Sequence, residues 1–110
     1  MLLEEEVAVA KAALDEKKAT GIKAYDVRGA SGLANCFVVA SGTAAPHLKA
    51  LAAGVEGAMR KAGIKVYRVC GEPESGWMVI DCIDVVVHVF SPEARAYYGL
   101  EKLWDNAPQI

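Results

Sequence analysis

The chain has 110 residues, 54% of them apolar, with 12 basic and 14 acidic side chains and a net charge of −2. This length suits one domain with a single core, and the apolar share excludes a disordered chain. The acidic balance argues against a nucleic-acid backbone as the main contact, since that affinity comes from Lys and Arg neutralising phosphates. It suits a basic protein partner.

At the N-terminus, Leu3, Val7, Ala10 and Leu14 recur on one face, which predicts a helix over residues 2–19. Glu4, Glu5 and Glu6 in its first turn and Lys17 and Lys18 in its last complement the helix dipole, and Gly21 is a natural stop. The opening Met-Leu-Leu-Glu-Glu-Glu lacks the character of a secretion signal or transit peptide. No apolar run approaches the roughly 20 residues of a membrane span, so the expected location is the cytoplasm.

Residues 22–28 read as a strand and Gly29-Ala-Ser-Gly32 as a turn. Residues 36–40 form a short apolar strand without polar alternation, as expected when both faces are covered. Ser41, Gly42 and Thr43 lead into a second helix, with Thr43 a candidate N-cap and Pro46 tolerated in the first turn. Leu48, Leu51, Ala52, Val55 and Met59 form its apolar face, and Gly63 ends it. Residues 65–70 alternate as a third strand, so the strand–helix–strand unit over 36–70 predicts a parallel pair with a right-handed crossover. After a polar loop over 71–76, residues 77–83 and 84–90 read as antiparallel strands joined by a tight break. Ser91 caps the next helix with Pro92 just inside it; this helix runs to about Tyr98, and a further turn covers 100–104. The sum is an α/β domain with a mixed sheet of about five strands flanked by helices.

Cys36, Cys70 and Cys82 are odd in number and widely spaced, so neither a zinc site nor a disulfide framework is supported. They read as buried free thiols in a reducing compartment.

Three constellations invite a chemical reading. Ser41-Gly42-Thr43 between a strand and a helix suggests a phosphate cradle, but neither G-x-x-x-x-G-K-[ST] nor G-x-G-x-x-G is present, and an ordinary connection fits better. Asp81 and Asp84 suggest a metal pair, yet they lie three apart across a turn, an odd spacing that sends strand side chains to opposite faces, and only Asp26 is spare. Hydrogen bonds to turn amides suit them better. His88 with Asp84 suggests a relay, and with Cys82 a hydrolase pair, but there is no G-x-S-x-G elbow and no oxyanion hole. His88 is expected neutral and hydrogen-bonded on an exposed or half-buried strand face.

The aromatic residues point elsewhere. Trp77 is expected at the sheet rim with one face to solvent, while Trp104 is open between core and surface. Trp and Tyr (here Trp77 and Tyr98) dominate interface hot spots, and Glu72, Glu74, Asp81 and Asp84 would steer a basic partner.

Trp77, Asp81, Asp84-Val-Val-Val-His88-Val, Pro92-Glu93-Ala-Arg95, Tyr98 and Leu100-Glu-Lys-Leu-Trp104 closely resemble, in order, the C-terminal half of the ribosomal silencing factor (RsfS, Iojap) family. The resemblance covers nearly the whole chain. It implies a single domain over 1–110, related in fold to nucleotidyltransferases but with no catalytic function and no cofactor. It further implies binding to ribosomal protein L-fourteen on the large subunit, where the small subunit docks. Subunit joining is thereby blocked and translation lowered when nutrients are short. By position, the implied contacts are Glu72, Ser75, Trp77, Met78, Asp81, Asp84, His88 and Tyr98. Family crystals are often dimeric, and the face of Leu3, Val7 and Ala10 or an edge strand is the candidate homodimer surface. The chain departs from the family at Pro46, often Arg and here followed by His47, which removes a polar contact. It departs again at Ile83, commonly Gly. A β-branched residue disfavours φ > 0, so this turn is expected to differ in shape. The competing readings are a Mg-dependent nucleotidyltransferase-like enzyme using Asp26, Asp81 and Asp84, and an RNA-binding module, for which no basic stripe exists.

Overall fold

A computed structural model describes residues 2–28, 35–104 and 106–110. In chain order the elements are α1 (Leu3–Glu16), β1 (Thr20–Asp26), β2 (Cys36–Ser41), α2 (Ala45–Lys61), β3 (Arg68–Glu72), β4 (Trp77–Asp81), β5 (Val85–Phe90) and α3 (Pro92–Tyr98), with 3-10 turns at Pro73–Ser75 and Leu100–Trp104. The strands form one mixed sheet in the order β1-β2-β5-β4-β3. Among the described residues β2 and β5 alone pair in parallel; the other neighbours are antiparallel. The turn expected at 29–32 lies outside the described residues.

β5 takes the centre because Val85, Val87 and Val89 are buried beneath one sheet face and His88 and Phe90 beneath the other. The expected β2–β3 pair is corrected here. Both strands run the same way, but β5 and β4 stand between them. β3 is mostly exposed and carries Arg68, Gly71 and Glu72, a composition that suits an edge. It also starts later than expected, at Arg68, and runs on into the loop as far as Glu72. At the opposite edge the C-terminal segment covers β1, through Asp26 N–H to the Pro108 carbonyl and Ile110 N–H to the Ala24 carbonyl.

α1 stops earlier than its periodicity suggests. Lys18 takes φ 65, its N–H reaches the Asp15 carbonyl, and the Ala19 N–H reaches that of Leu14. This is a Schellman ending with lysine where glycine is usual. Gly21 is not the stop; it sits inside β1 at φ 59, where the register with β2 slips. The start of α2 is also corrected. Its N-cap is Ala44, with no side-chain cap. Instead the Thr43 N–H donates to His47 Nδ1 at 2.9 Å, so the proton lies on His47 Nε2, which donates to the Lys17 carbonyl at 2.7 Å. One histidine thereby serves the start of α2 and the end of α1. Ser91 caps α3 as expected, its hydroxyl accepting the Ala94 N–H at 3.1 Å.

One sheet face lies under α1 and α2, whose Val7, Ala10, Leu14, Leu48, Leu51, Val55 and Met59 pack on Val38, Ile80, Val85, Val87 and Val89. Val7 and Ala10 are thus consumed by the chain's own core, which removes that helix face as a dimer surface. Cys36 and Cys82 are buried as expected, but Cys70 is exposed on β3. The second face carries a smaller cluster of Tyr25, Val27, Val39, Phe90 and Ala94 beneath α3 and the last turn.

Candidate docking site

Strand alternation sends Trp77, Val79 and Asp81 of β4, and Val86, His88 and Phe90 of β5, to the second face. The register aligns them in rows that run from edge to centre. Glu72, Trp77, Phe90 and Ser41 form one row; Cys70, Val79, His88 and Val39 the next; Arg68, Asp81, Val86 and Phe37 the third. α3 and the last turn cover only part of this lattice. Trp77, Val79, Val86, Phe37 and Trp104 remain half-buried, and Cys70 is exposed.

The rings make a continuous band. Trp77 stacks on Phe90 at 5.0 Å and lies 4.8 Å from Tyr98, which is 50% exposed. Its indole N–H donates to His88 Nδ1 at 3.1 Å. On the far side of His88 stands Phe37, edge-on at 5.3 Å, and beyond it Trp104 at 5.1 Å. At the near end Tyr97 leans on Tyr98 and is 83% exposed. Beside it a groove of about 390 Å³ is lined by Ser75, Ser91, Glu93, Ala94, Tyr97 and Tyr98.

His88 is neutral and hydrogen-bonded as expected, but it is not exposed: only 7% of it reaches solvent. Burial pulls its pKa down to about 4, against a smaller opposing pull from Asp81. Because Nδ1 accepts from Trp77, the proton is on Nε2, and among the described residues that nitrogen has no partner; nor has the indole nitrogen of Trp104. Each unmet buried donor costs about 1–3 kcal/mol.

The β4–β5 turn keeps positive φ despite its isoleucine. Ile83 has φ 70, and the Asp84 N–H donates to the Cys82 carbonyl at 2.9 Å, which closes a γ-turn around it. The expected change away from positive φ does not occur. Asp81 Oδ1 accepts the Ile83 N–H at 2.9 Å, and Asp84 Oδ1 accepts from the Asn35 amide at 3.1 Å. Both aspartates therefore brace the turn.

Of the eight implied contact residues, Glu72, Trp77 and Tyr98 gather at one end of the band. Ser75 joins them through its hydroxyl, which donates to the Glu72 carbonyl at 2.7 Å. His88 lies beneath Trp77. Asp81 shares their face but sits four residues along β4, roughly 13 Å away, and Asp84 lies beyond it in the turn. Met78 points the other way, 9% exposed beneath the helices. Sequence reasoning missed Phe37, Val79, Val86, Cys70 and Tyr97. The alternation marked their faces, but only the β2–β5 register shows that Phe37 meets Val86.

Arg95 holds the cover in place. Its guanidinium spans Glu101 at 2.6 and 3.1 Å, Ser41 Oγ at 2.9 Å and the Gly21 carbonyl at 2.8 Å, with 16% of the side chain exposed. The Tyr25 hydroxyl donates to Glu101 at 2.7 Å. The Arg95 guanidinium holds the Glu101 carboxyl below its ordinary range. Gly21 leaves room for the Arg95 side chain: at φ 59 a Cβ would stand 2.7 Å from Arg95 Nη1, and the guanidinium would have to shift.

The chemical constellations do not assemble. Asp26 is paired with Arg28 at 2.6 Å on β1, three strand spacings from β4, or about 14 Å. Among the described residues no group of three His, Cys, Asp or Glu side chains is placed to hold a metal. Cys82 faces the helix side and His88 the other, so they cannot pair. Burial raises the Cys36 and Cys82 thiols to about 11, which keeps them protonated. At the would-be phosphate cradle, Gly42 N–H is bound to the Phe90 carbonyl and Thr43 N–H to His47.

A family model described as "Ribosomal silencing factor during starvation" matches residues 2–110. Ribosomal silencing factor RsfS of Bacillus subtilis is 40% identical over 91% of this chain and 85% of its own, and that of Halalkalibacterium halodurans 39% identical over 89% and 84%. A crystal structure of a protein from Chromobacterium violaceum superposes with a TM-score of 0.91 at 35% identity, covering 96% of this chain and 88% of that one.

Proposed function

From the fact that this chain belongs to the ribosomal silencing factor family, we propose that it represses translation by docking on ribosomal protein L-fourteen of the large subunit. The small subunit is then sterically excluded when nutrients are short. The observation that carries the reading is the half-open aromatic face around Trp77, with exposed Glu72, Glu74 and Glu93 beside it. Such a surface offers an anchor of the hot-spot type and an acidic rim that steers a basic ribosomal protein. In this reading Trp77 and Tyr98 bear on the partner, Glu72, Ser75, Asp81 and Asp84 form its polar border, and His88 fixes the Trp77 indole from below. Met78 acts only by packing under β4. The mechanism is occlusion and requires no bond-making chemistry. The site of action is the cytoplasm, where the target subunit is found. A homodimer would use the open edge of β3.

Co-sedimentation with isolated large subunits tests the proposal. The wild-type chain pellets with them, and Trp77→Ala weakens the association about thirtyfold, equivalent to about 2 kcal/mol. A wild-type chain left in the supernatant sinks the function; a Trp77→Ala variant that binds normally sinks the site.

A further inference from the structure

We infer that the second sheet face holds another docking point, at Phe37, built to receive a main-chain carbonyl of the partner on two N–H donors that the free chain leaves unmet. It rests on the docking reading above and extends the contact across β5 to β2.

The donors are His88 Nε2 and Trp104 Nε1, both shut off from solvent and both without a hydrogen-bond partner among the described residues. An indole can only donate, so the 3.1 Å contact from Trp77 Nε1 makes His88 Nδ1 the acceptor and leaves the imidazole proton on Nε2. The two nitrogens of an imidazole face away from each other. With Nδ1 turned to Trp77 on β4, Nε2 lies on the opposite edge of the imidazole, and the Phe37 ring on β2 packs against that imidazole with centroids 5.3 Å apart at 84°. Trp104 meets the same ring at 5.1 Å and 69°. Phe37 thus stands between an imidazole and an indole, each with a proton and, among the described residues, no oxygen to receive it. An aromatic face is a weak acceptor, so the ring substitutes only in part. Folded chains leave few buried donors unmet, and two beside one half-exposed side chain share a single remedy. Phe37 swings aside and an oxygen takes its place.

The burial of the donors selects the oxygen. Both are N–H groups shut off from solvent, where a carboxylate without a cationic partner would lose its hydration, whereas an uncharged carbonyl from a partner loop or strand would not bring a charge into the site.

Quantitative co-sedimentation of the full chain with isolated large ribosomal subunits, run beside thermal melts of the free protein, tests this. Trp104→Phe keeps a ring and removes the indole proton. Its affinity falls about tenfold while Tm holds or rises. Phe37→Leu shrinks the group to be displaced, and its affinity holds or rises. Normal binding by Trp104→Phe overturns the inference. So does a loss that merely follows a fall in Tm, or weaker binding by Phe37→Leu. If Trp77→Ala abolishes binding while Trp104→Phe does not, only the second docking point fails. A wild-type chain that never sediments with the subunits overturns both.

Discussion

The two faces of the sheet share one set of strands and differ in how their side chains are satisfied. Beneath α1 and α2 the strands present valine, isoleucine and alanine, all buried, to two amphipathic helices. Beneath α3 they present rings that are half open, a buried histidine and the two unmet N–H donors. The first face is arranged for folding alone. The second gives up stability, and the losses cluster around the half-open rings, where a partner would recover them. Unmet polar groups gathered at one spot point to function there.

This contrast predicts that stability and docking separate by face. Leu51, fully buried on α2, is the clean probe. Leu51→Ala loses about 2–5 kcal/mol of unfolding free energy through the cavity it leaves. The affinity of the remaining folded protein for large subunits stays at the wild-type value. A drop in that affinity would show that the helix side also contributes to docking, and the contrast would break.

Acid should expose the weakness of the open face. His88 titrates near 4 when folded, against 6.5 for an ordinary histidine, because burial disfavours its charged form. Between those values the unfolded chain binds a proton that the native chain does not, so stability rises with pH across the window. Taking the pH from 6.5 down to 4 therefore removes stability, by about 3 kcal/mol at the lower end. Urea titrations at stepped pH would follow this loss, and His88→Gln should abolish that part of the slope. An unchanged slope in the variant would mean that another group carries the acid sensitivity.

What the sequence reveals follows the range of the forces involved. The apolar face of α2, the Ser91 cap and the alternating β4–β5 pair are legible because each depends on residues a few positions apart. Strand order is not, since the central place of β5 emerges only when three buried valines compete with the polar edge residues of β3. The end of α1 misleads because Lys18 adopts a conformation usually left to glycine. His88 looks half-exposed because the side chain that closes over it, Phe37, arrives from a strand 51 residues earlier. The same distance hides most of the docking face. Trp77 and Tyr98 declare themselves by residue type, whereas Phe37, Val79 and Val86 are unremarkable until the register sets them side by side.

The turn at Ile83 sharpens the contrast at its finest scale, because it sits where β4 and β5 leave the sheet. Positive φ costs an ordinary L residue about 1–2 kcal/mol, and a β-branched side chain is among the least suited to it. Ile83 recovers little by burial, being 48% exposed. Glycine would remove the strain but would add roughly 0.5–1 kcal/mol of chain entropy on folding. The balance favours Ile83→Gly by about 1 kcal/mol, which would appear as a higher urea midpoint at an unchanged m-value. Asp81 and Asp84 hold the turn through the Ile83 amide and Asn35, and glycine keeps both bonds. A lower midpoint would mean that packing of the isoleucine side chain outweighs its backbone strain, and this turn would then belong with the face arranged for folding.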